Sequence, residues 1–404
     1  MSEFRSLRLA YVTSRFPFGE GEAFFAPELK ALGRQVAQLW VVPMRPQGPV
    51  LHEDAEPLLD RTVSAGLGSR TVLVAATRHV AANPRRTGIA LSHMRRSRPR
   101  VLAKNLAIVP KSLWFARALE RLEIDHVHVQ WGGASSTMAM LAAERAGVPW
   151  SLTLHRWDIT EDNLLADKLC SAAFVRVISE FGARQVRDLV PGARLDVLHL
   201  GVDVPPEPLE LSRRGPEEPF RLLAVGSLTP QKGHTLLLDA FARVAGTRVT
   251  LDIAGAGPLL DRLTARAQAL GIANRVRFLG VVPHATLLRR VHAGEWDALV
   301  HTSPEGPGFS EGIPVALMEA MAAGLPVIAC PSGGVTELVR HGAGMLVPAH
   351  QPGDLAAAIT KLAADSGLAS ELATAGRRRI CAEFDAASTA GLLLDRIVSP
   401  ARAA

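Results

Sequence analysis

The sequence has few of the features that mark a membrane-spanning or secreted protein. No apolar run among its 404 residues is long and clean enough to cross a bilayer. The N-terminal stretch MSEFRSLRLAYVTS has no secretory signal pattern, and its apolar part alternates like a β-strand. The three cysteines, Cys170, Cys330 and Cys381, are sparse and lack metal-binding spacing. These absences predict reduced thiols and a cytoplasmic protein.

Acidic residues are absent from one long segment, 78–111, in a chain of net charge +6. Its basic residues include Arg85, Arg86, Arg95, Arg96, Arg98, Arg100 and Lys104. A basic segment beside apolar residues can dock on anionic lipid, at the inner face of the membrane, or on a phosphorylated substrate; the alternative is ordinary solvated surface. The segment lacks interleaved aromatic residues and the chain has no nucleic-acid-binding motif, so we expect no nucleic-acid partner.

Strand-like and helix-like runs alternate along the chain. In the second half RLLAVGS precedes HTLLLDAFARV, and RVTLDIAG precedes LLDRLTARAQALG; the first half repeats the scheme less cleanly. This alternation predicts an α/β fold with parallel sheets. We expect an N-terminal domain over 1–203, a linker rich in proline and charge over 204–219, and a C-terminal domain over 220–385. A final helix over 386–404 should pack back towards the N-terminal domain.

The run EGIPVALMEAMAAGLPVIAC, residues 311–330, predicts a helix that begins at Pro314 and stops at Gly324. Glu319 lies in this apolar helix, roughly 7–8 Å from its start. A buried carboxylate costs several kcal/mol unless it is paired, so it needs either an arginine or a pair of ligand hydroxyls. The free N–H groups at the helix start, beside Glu311, suit a phosphate or a sugar oxygen.

A second loop, VGSLTPQKGHTLL, places Lys232 and Gly233 between a strand and a helix. A lysine at this position is well placed for phosphate, although an exposed loop lysine is the alternative. The loop AGAGP at 254–258 lacks the full dinucleotide fingerprint, which argues against a nicotinamide cofactor.

Together these motifs resemble a known family. EGIPVALMEAMAAGLPVIACPSGGVTELV, VGSLTPQKGHTLLLDAF, IAGAGP and VRFLG are similar to the C-terminal domain of retaining glycosyltransferases of family 4. FPFGEGEAFFAPELKAL, DHVHVQWG, VPWSLTLHRWDI and VISE resemble its exopolysaccharide branch, which includes colanic-acid-type enzymes. The resemblance covers nearly the whole chain. It implies the GT-B fold, in which two Rossmann-like parallel-sheet domains face each other across a cleft.

The resemblance also implies roles for individual residues. Glu319 is expected to contact the nucleotide ribose, Glu311 the donor sugar, and Lys232 the diphosphate. Further donor contacts are expected from Ser227, Gly233, Gly257, Leu279, Gly280, Gly312, Ile313 and Pro314. The co-substrate is expected to be a UDP- or GDP-sugar, with no metal and no other cofactor.

His155 resembles the N-domain histidine that faces the donor sugar; the alternative is a structural histidine at a strand end. With Glu311 and Lys232 it completes the expected catalytic set. Acceptor contacts are expected from Gly19, Gly21, Glu22 and Asp158.

Two departures from the family pattern stand out. Ser227 occupies a position where many relatives carry arginine. The loop SPEGPGFSEGIP is also long, but only Glu311, and not Glu305, has the motif spacing to Glu319.

The implied reaction is sugar transfer to an acceptor hydroxyl with retention of configuration. The acceptor is expected to be a saccharide, growing on a lipid carrier, with a soluble small molecule or natural product as the alternative. A nucleotide-sugar epimerase of similar fold and a protein that only binds a nucleotide sugar are the rival functions.

Overall fold

The chain folds into two compact units, each built on a parallel sheet. The computed structural model describes residues 3–19, 21–82, 88, 94, 97–209, 218–244, 248–306 and 310–399. The first unit, here the N-unit, comprises Met1–Leu200 and Ala387–Ala404, and the second, the C-unit, comprises Gly201–Ala386. Each unit contains one six-stranded sheet whose neighbouring strands run parallel. The predicted α/β class with two Rossmann-like parallel-sheet domains is confirmed.

The N-unit sheet has the strand order β2-β1-β3-β4-β5-β6. Its strands are β1 Arg8–Thr13, β2 Gln38–Pro43, β3 His126–Gln130, β4 Trp150–Leu154, β5 Val175–Val177 and β6 Asp196–Val197. Its helices are α1 Ala26–Gln35, α2 Arg70–Ala82, α3 Pro99–Arg121, α4 Ala134–Ala146, α5 Arg156–Glu161, α6 Leu165–Ser171 and α7 Glu180–Leu189. Short 3-10 turns cover Glu3–Ser6, Ala23–Phe25 and Glu53–Arg61.

The C-unit sheet has the strand order β12-β11-β10-β7-β8-β9. Its strands are β7 Phe220–Val225, β8 Val249–Ala254, β9 Val276–Gly280, β10 Ala298–His301, β11 Val327–Ala329 and β12 Met345–Leu346. The remaining helices are α8 His234–Phe241, α9 Leu260–Ala269, α10 His284–His292, α11 Val315–Ala323, α12 Val335–Leu338, α13 Pro352–Ala364, α14 Ser366–Glu383 and α15 Ala386–Val398. Pro230–Lys232 and Ala273–Arg275 are 3-10 turns.

Both sheets are buried on two faces, as parallel sheets require. Successive residues of a strand point to opposite faces, so Ala10 and Val12 of β1 enter one apolar cluster while Leu9 enters another. Leu393 and Leu394 of α15 belong to the cluster around Leu9, so this last helix covers that face of the N-unit sheet. Among the described residues, no helix is both long and apolar enough to cross a membrane.

Candidate active site

Helix α11 carries the carboxylate that the sequence singles out. Pro314 is its N-cap and Gly324 its left-handed C-cap, with φ +85°, which confirms both predicted ends. The Glu319 side chain is 13% exposed, and its Oε1 accepts a hydrogen bond from His284 Nε2 at 2.6 Å. The protein partner is therefore a histidine of α10, where the sequence analysis considered an arginine. Among the described residues, no donor reaches Glu319 Oε2, which leaves this oxygen available as an acceptor.

Glu311 lies just before the same helix and is held in a similar way. Its Oε1 accepts hydrogen bonds from Lys232 Nζ and Ser303 Oγ, both at 2.6 Å, and lies 3.6 Å from His301 Nε2. Burial raises the pKa of Glu311, but His301 and Lys232 together lower it more, so the net pKa lies well below its usual range. Glu311 is thus ionised at neutral pH. Within the described part of the chain, its Oε2 accepts no hydrogen bond.

A close approach of two loops fixes the backbone at Glu311. Its N–H donates to Ser332 Oγ at 3.2 Å, and its carbonyl accepts from Gly334 N at 3.2 Å. Gly333 has φ +52°, and a Cβ there would lie 2.0 Å from the Glu311 carbonyl oxygen. Only glycine fits at that point. The turn after β11 therefore sets where the Glu311 carboxylate is presented.

Lys232 ends a 3-10 turn, and Gly233 follows it in the left-handed conformation with φ +66°. A Cβ at Gly233 would lie 2.0 Å from the Thr302 carbonyl oxygen, so the turn packs directly on the loop after β10. Thr302 Oγ1 also donates to the Lys232 carbonyl at 3.1 Å. This packing brings the predicted phosphate lysine to the predicted sugar glutamate, 79 residues further along the chain.

The other predicted donor residues lie in loops at the same edge of the C-unit sheet. The loop after β7, which carries Ser227, bonds to the loop around Gly257 through Leu228 N and Ala256 O at 2.9 Å. The Gly280 carbonyl at the end of β9, next to Leu279, accepts from Gly255 N at 2.8 Å. Gly312, Ile313 and Pro314 lead into α11. Carboxyl ends of parallel strands form the ligand-binding edge of such sheets.

In the N-unit, His155 follows β4 and is 6% exposed. Its Nε2 lies 2.8 Å from Gln130 Oε1, while Gln130 Nε2 donates to Glu28 Oε1 at 3.0 Å. A carboxylate only accepts hydrogen bonds, so the Gln130 amide nitrogen must face Glu28 and its oxygen must face His155. His155 Nε2 therefore carries the hydrogen. Burial, with a smaller effect of Arg176, lowers the pKa of His155 to about 3, so the ring is neutral with an unprotonated Nδ1.

Glu28 lies at the centre of the network that holds Gln130. Its Oε2 pairs with Arg176 Nη1 at 2.6 Å, and the two side chains are 1% and 0% exposed. Tyr11 Oη donates to Glu28 Oε1 at 2.6 Å, and Arg176 Nε donates to the Leu198 carbonyl at 2.8 Å. The network thus connects α1 with the strands β1, β3 and β5.

The residues expected to bind the acceptor lie in two N-unit loops. Gly19 and Gly21 adopt φ +74° and +96°. Glu22 Oε2 accepts from the N–H groups of Arg15 and Phe16 at 2.7 and 2.8 Å. The loop after β1 is therefore folded around the Glu22 carboxylate.

Asp158 lies at the start of α5. Its Oδ2 accepts the His155 N–H at 2.9 Å, and burial raises the pKa of Asp158 to about 7. The acceptor-binding role of Asp158, like those of Gly19, Gly21 and Glu22, stays a prediction.

The protein partners of these side chains are not among the residues that the sequence motifs single out. They are His284 and Ser303 in the C-unit and Glu28, Gln130 and Arg176 in the N-unit. Polar residues at alternate positions, as in HVHVQ, usually indicate the solvent face of a strand. Here they line a buried face, where His126 and His128 each bond to Ser151 Oγ at 2.8 Å.

Comparison with known proteins finds two family models that each match part of the chain. Residues 211–379 match the family described as glycosyl transferases group 1, and residues 62–205 match Glycosyltransferase Family 4. Each of the two matches is therefore a likeness to glycosyltransferases over part of the chain, and the fold is GT-B.

Curated relatives include the D-inositol 3-phosphate glycosyltransferase of Mycobacterium marinum, 31% identical over 266 residues, which are 62% of this chain and 52% of that protein. The enzyme of the same name from Mycobacterium tuberculosis is 31% identical over 272 residues, 59% of this chain and 54% of its own. The chain spans about half the length of these relatives. Their names specify inositol phosphate, so they do not confirm the predicted exopolysaccharide branch.

Solved structures resemble the whole chain. The lipopolysaccharide outer core galactosyltransferase WaaB superposes with a TM-score of 0.68 at 16% identity, covering 97% of this chain and 99% of WaaB. Anabaena HepE in complex with UDP-glucose superposes with a TM-score of 0.69 at 18% identity, covering 97% and 100%. At such low identity these likenesses establish the GT-B fold.

Proposed function

We propose that this protein transfers a sugar from a nucleotide sugar to an acceptor hydroxyl. One observation carries the proposal. At the carboxyl edge of the C-unit sheet, Glu311 and Glu319 each have one oxygen held by protein donors, while the other has no partner among the residues that the structure describes. Two partly buried carboxylates with open acceptor oxygens, one at the tip and one on the flank of a single helix, suit two sets of ligand hydroxyls.

We assign a part of the donor to each group of the site. Glu319 Oε2 accepts from the ribose hydroxyls, and Glu311 Oε2 accepts from hydroxyls of the donor sugar. Lys232 Nζ donates one hydrogen to Glu311, so two hydrogens stay available for the diphosphate. The N–H groups at the start of α11 add a positive dipole end.

Transfer then proceeds without a metal ion, because Lys232 and the helix dipole stabilise the charge that builds on the leaving diphosphate. The configuration at the sugar carbon is retained, as the family resemblance implies. Many relatives carry arginine at the position of Ser227, which supplies no cation. Stabilisation of the diphosphate charge by a side chain therefore depends on Lys232. A UDP-sugar is the first donor to test, since the HepE structure holds UDP-glucose.

The relatives favour a small phosphorylated polyol as the acceptor, because the name of each curated relative specifies inositol 3-phosphate. A saccharide or lipid-linked acceptor of exopolysaccharide synthesis is the second candidate, and it rests on the N-terminal motifs alone. Both candidates keep the same donor chemistry in the C-unit.

The test measures nucleotide release from a panel of UDP- and GDP-sugars, with and without inositol phosphates and simple saccharides. Release that requires an acceptor supports a transferase, and the anomeric configuration of the product tests retention. Release without an acceptor would instead indicate a hydrolase or an epimerase, and no release with any donor would favour a binding protein.

Lys232→Ala should lower turnover about a hundredfold, an effect larger than its effect on stability, because Lys232 stabilises charge that builds in the transition state. Lys361→Ala, on the exposed surface of α13, is the matched control and should retain wild-type turnover.

A further inference from the structure

A basic groove lies between helices α2 and α3 of the N-unit, outside the site described above. Its volume is about 410 Å³. Four of its nine lining residues are arginines, and none is acidic. The arginines are Arg70, Arg78, Arg117 and Arg121; the other lining residues are Thr71, Val74, Ala75, Trp114 and Ala118.

Basic residues of the same two helices divide into partnered and unpartnered ones. Arg100 Nη2 and Lys104 Nζ donate to the backbone carbonyl and the carboxylate of Glu161, at 3.2 and 3.1 Å. Lys111 is buried and donates to the Pro43 and Met44 carbonyls at 2.8 and 2.5 Å.

In contrast, the four groove arginines are exposed and make no ion pair or hydrogen bond with any described residue. The acidic side chain of these helices, Glu120, is itself bonded to Arg145 at 3.4 Å. The charge of the groove is therefore not neutralised by any neighbouring residue that the structure describes.

Apolar side chains lie exposed beside this charge. On α2, Leu73, Val74 and Val80 are 50%, 46% and 44% exposed. Residues four apart share a helix face, so Val74 lies between Arg70 and Arg78. A free phosphate ion gains nothing from exposed leucine and valine, whereas the interface of a bilayer offers phosphate groups and apolar chains together.

We propose that the α2–α3 groove docks the N-unit on an anionic membrane. Its guanidinium groups would contact lipid phosphates, and Leu73, Val74 and Val80 would enter the interfacial layer. This binding is independent of the proposed sugar transfer, since none of the groove residues is assigned to the donor, the acceptor or catalysis.

The proposed surface differs from the basic segment that the sequence indicated. Of that segment, Arg85, Arg86, Arg95 and Arg96 lie outside the described residues. Arg98 pairs with Asp162, and Arg100 and Lys104 are bound to Glu161. Arg78 is the one groove arginine that falls within the segment.

Vesicle flotation tests the proposal. Wild-type protein should bind vesicles with about 30% phosphatidylglycerol in low salt, and binding should fall in about 0.5 M salt because surface charges are screened. Arg117→Gln/Arg121→Gln should weaken partitioning onto the vesicles about thirtyfold, since each basic residue near an anionic surface adds several-fold to the membrane affinity. The matched control, Arg98→Gln/Lys104→Gln, removes the same number of charges from already paired side chains and should bind nearly as wild type. Circular dichroism confirms that each variant is folded.

Two further arms identify the source of the phosphate. Glycerol phosphate at millimolar concentration should not displace the protein from vesicles, and Leu73→Ser/Val80→Ser should weaken binding although all charges remain. The proposal is overturned if wild type does not bind, if the control loses as much as the groove variant, or if glycerol phosphate displaces the protein. The assay needs neither donor nor acceptor, so its failure is distinct from failure of the proposed transfer.

Discussion

The two units use buried carboxylates in opposite ways. In the N-unit, both oxygens of Glu28 are occupied, one by Tyr11 and Gln130 and the other by Arg176. In the C-unit, Glu311 and Glu319 each use a single oxygen in contacts with the described part of the chain. The first arrangement is complete without a ligand and stabilises the fold. The second leaves acceptor capacity that a ligand can satisfy, so the contrast separates a structural carboxylate from the two carboxylates that we propose bind the donor.

A fall in pH should produce the largest difference in stability between the two units. Burial lowers the pKa of His126 to about 4, of His128 well below its usual range, and of His155 to about 3; in the C-unit burial lowers that of His234 to about 4. As the pH falls, these histidines take up protons in the unfolded state before they do so in the folded state. Their contribution to the free energy of unfolding is therefore complete above pH 6.5 and is lost as the pH falls towards the folded pKa values. At pH 5 each of these histidines should lower the free energy of unfolding by about 2 kcal/mol relative to its value above pH 6.5.

Three of these four histidines lie in the N-unit, so its protection should fall most between pH 7 and pH 5. Hydrogen exchange with mass spectrometry, corrected for intrinsic rates, resolves the two units. Replacing the exposed His292 by Leu should leave the profile unchanged. Equal loss of protection in both units would contradict the assignment.

Breaking the Glu28 pair should have the next largest effect. Arg176→Met leaves a fully buried carboxylate without its cation, which should lower the free energy of unfolding by about 3–5 kcal/mol. Arg145→Met, which breaks the exposed pair with Glu120, should cost under about 1 kcal/mol. Urea unfolding compares the two. If Arg176→Met costs no more than Arg145→Met, Glu28 does not depend on its partner as proposed.

Glu319→Ala should weaken binding of the nucleoside diphosphate. Loss of hydrogen bonds to a charged group, about 1.5–3 kcal/mol, corresponds to roughly ten- to a hundredfold in Kd. Glu319→Gln should be milder because an amide retains one acceptor oxygen. Titration calorimetry measures both, with Glu305→Ala as the control glutamate that lacks the motif spacing. Unchanged affinity in folded Glu319→Ala would remove the ribose assignment.

The smallest effect is expected from Gln130→Leu, which removes the acceptor that holds His155 Nε2–H. We expect turnover to fall about tenfold, a typical cost of losing one hydrogen bond that positions a group. The Kd for the nucleotide should stay the same, because the C-unit carboxylates are untouched. Nitrogen-15 chemical shifts of His155 should show a mixture of tautomers. An unchanged tautomer with unchanged turnover would mean that Gln130 has no positioning role.

The sequence by itself determined the α/β class, the two parallel sheets and both ends of the motif helix. These features follow from local patterns, such as the alternation of strand and helix runs, the proline at Pro314 and the glycine at Gly324. The same patterns predicted that Lys232 and Glu311 contribute to one site, because parallel strands end at a common edge of the sheet.

Only the tertiary structure decided which side chains are partners. His284 lies 35 residues from Glu319, and Arg176 lies 148 residues from Glu28. Local periodicity carries no information about contacts over such separations, because they depend on how distant helices and strands pack. The same packing buries alternate polar positions of β3 that, read locally, indicate a solvent face. It also left one oxygen of Glu311 and one of Glu319 without a donor among the described residues, a difference from Glu28 on which the proposed ligand site rests.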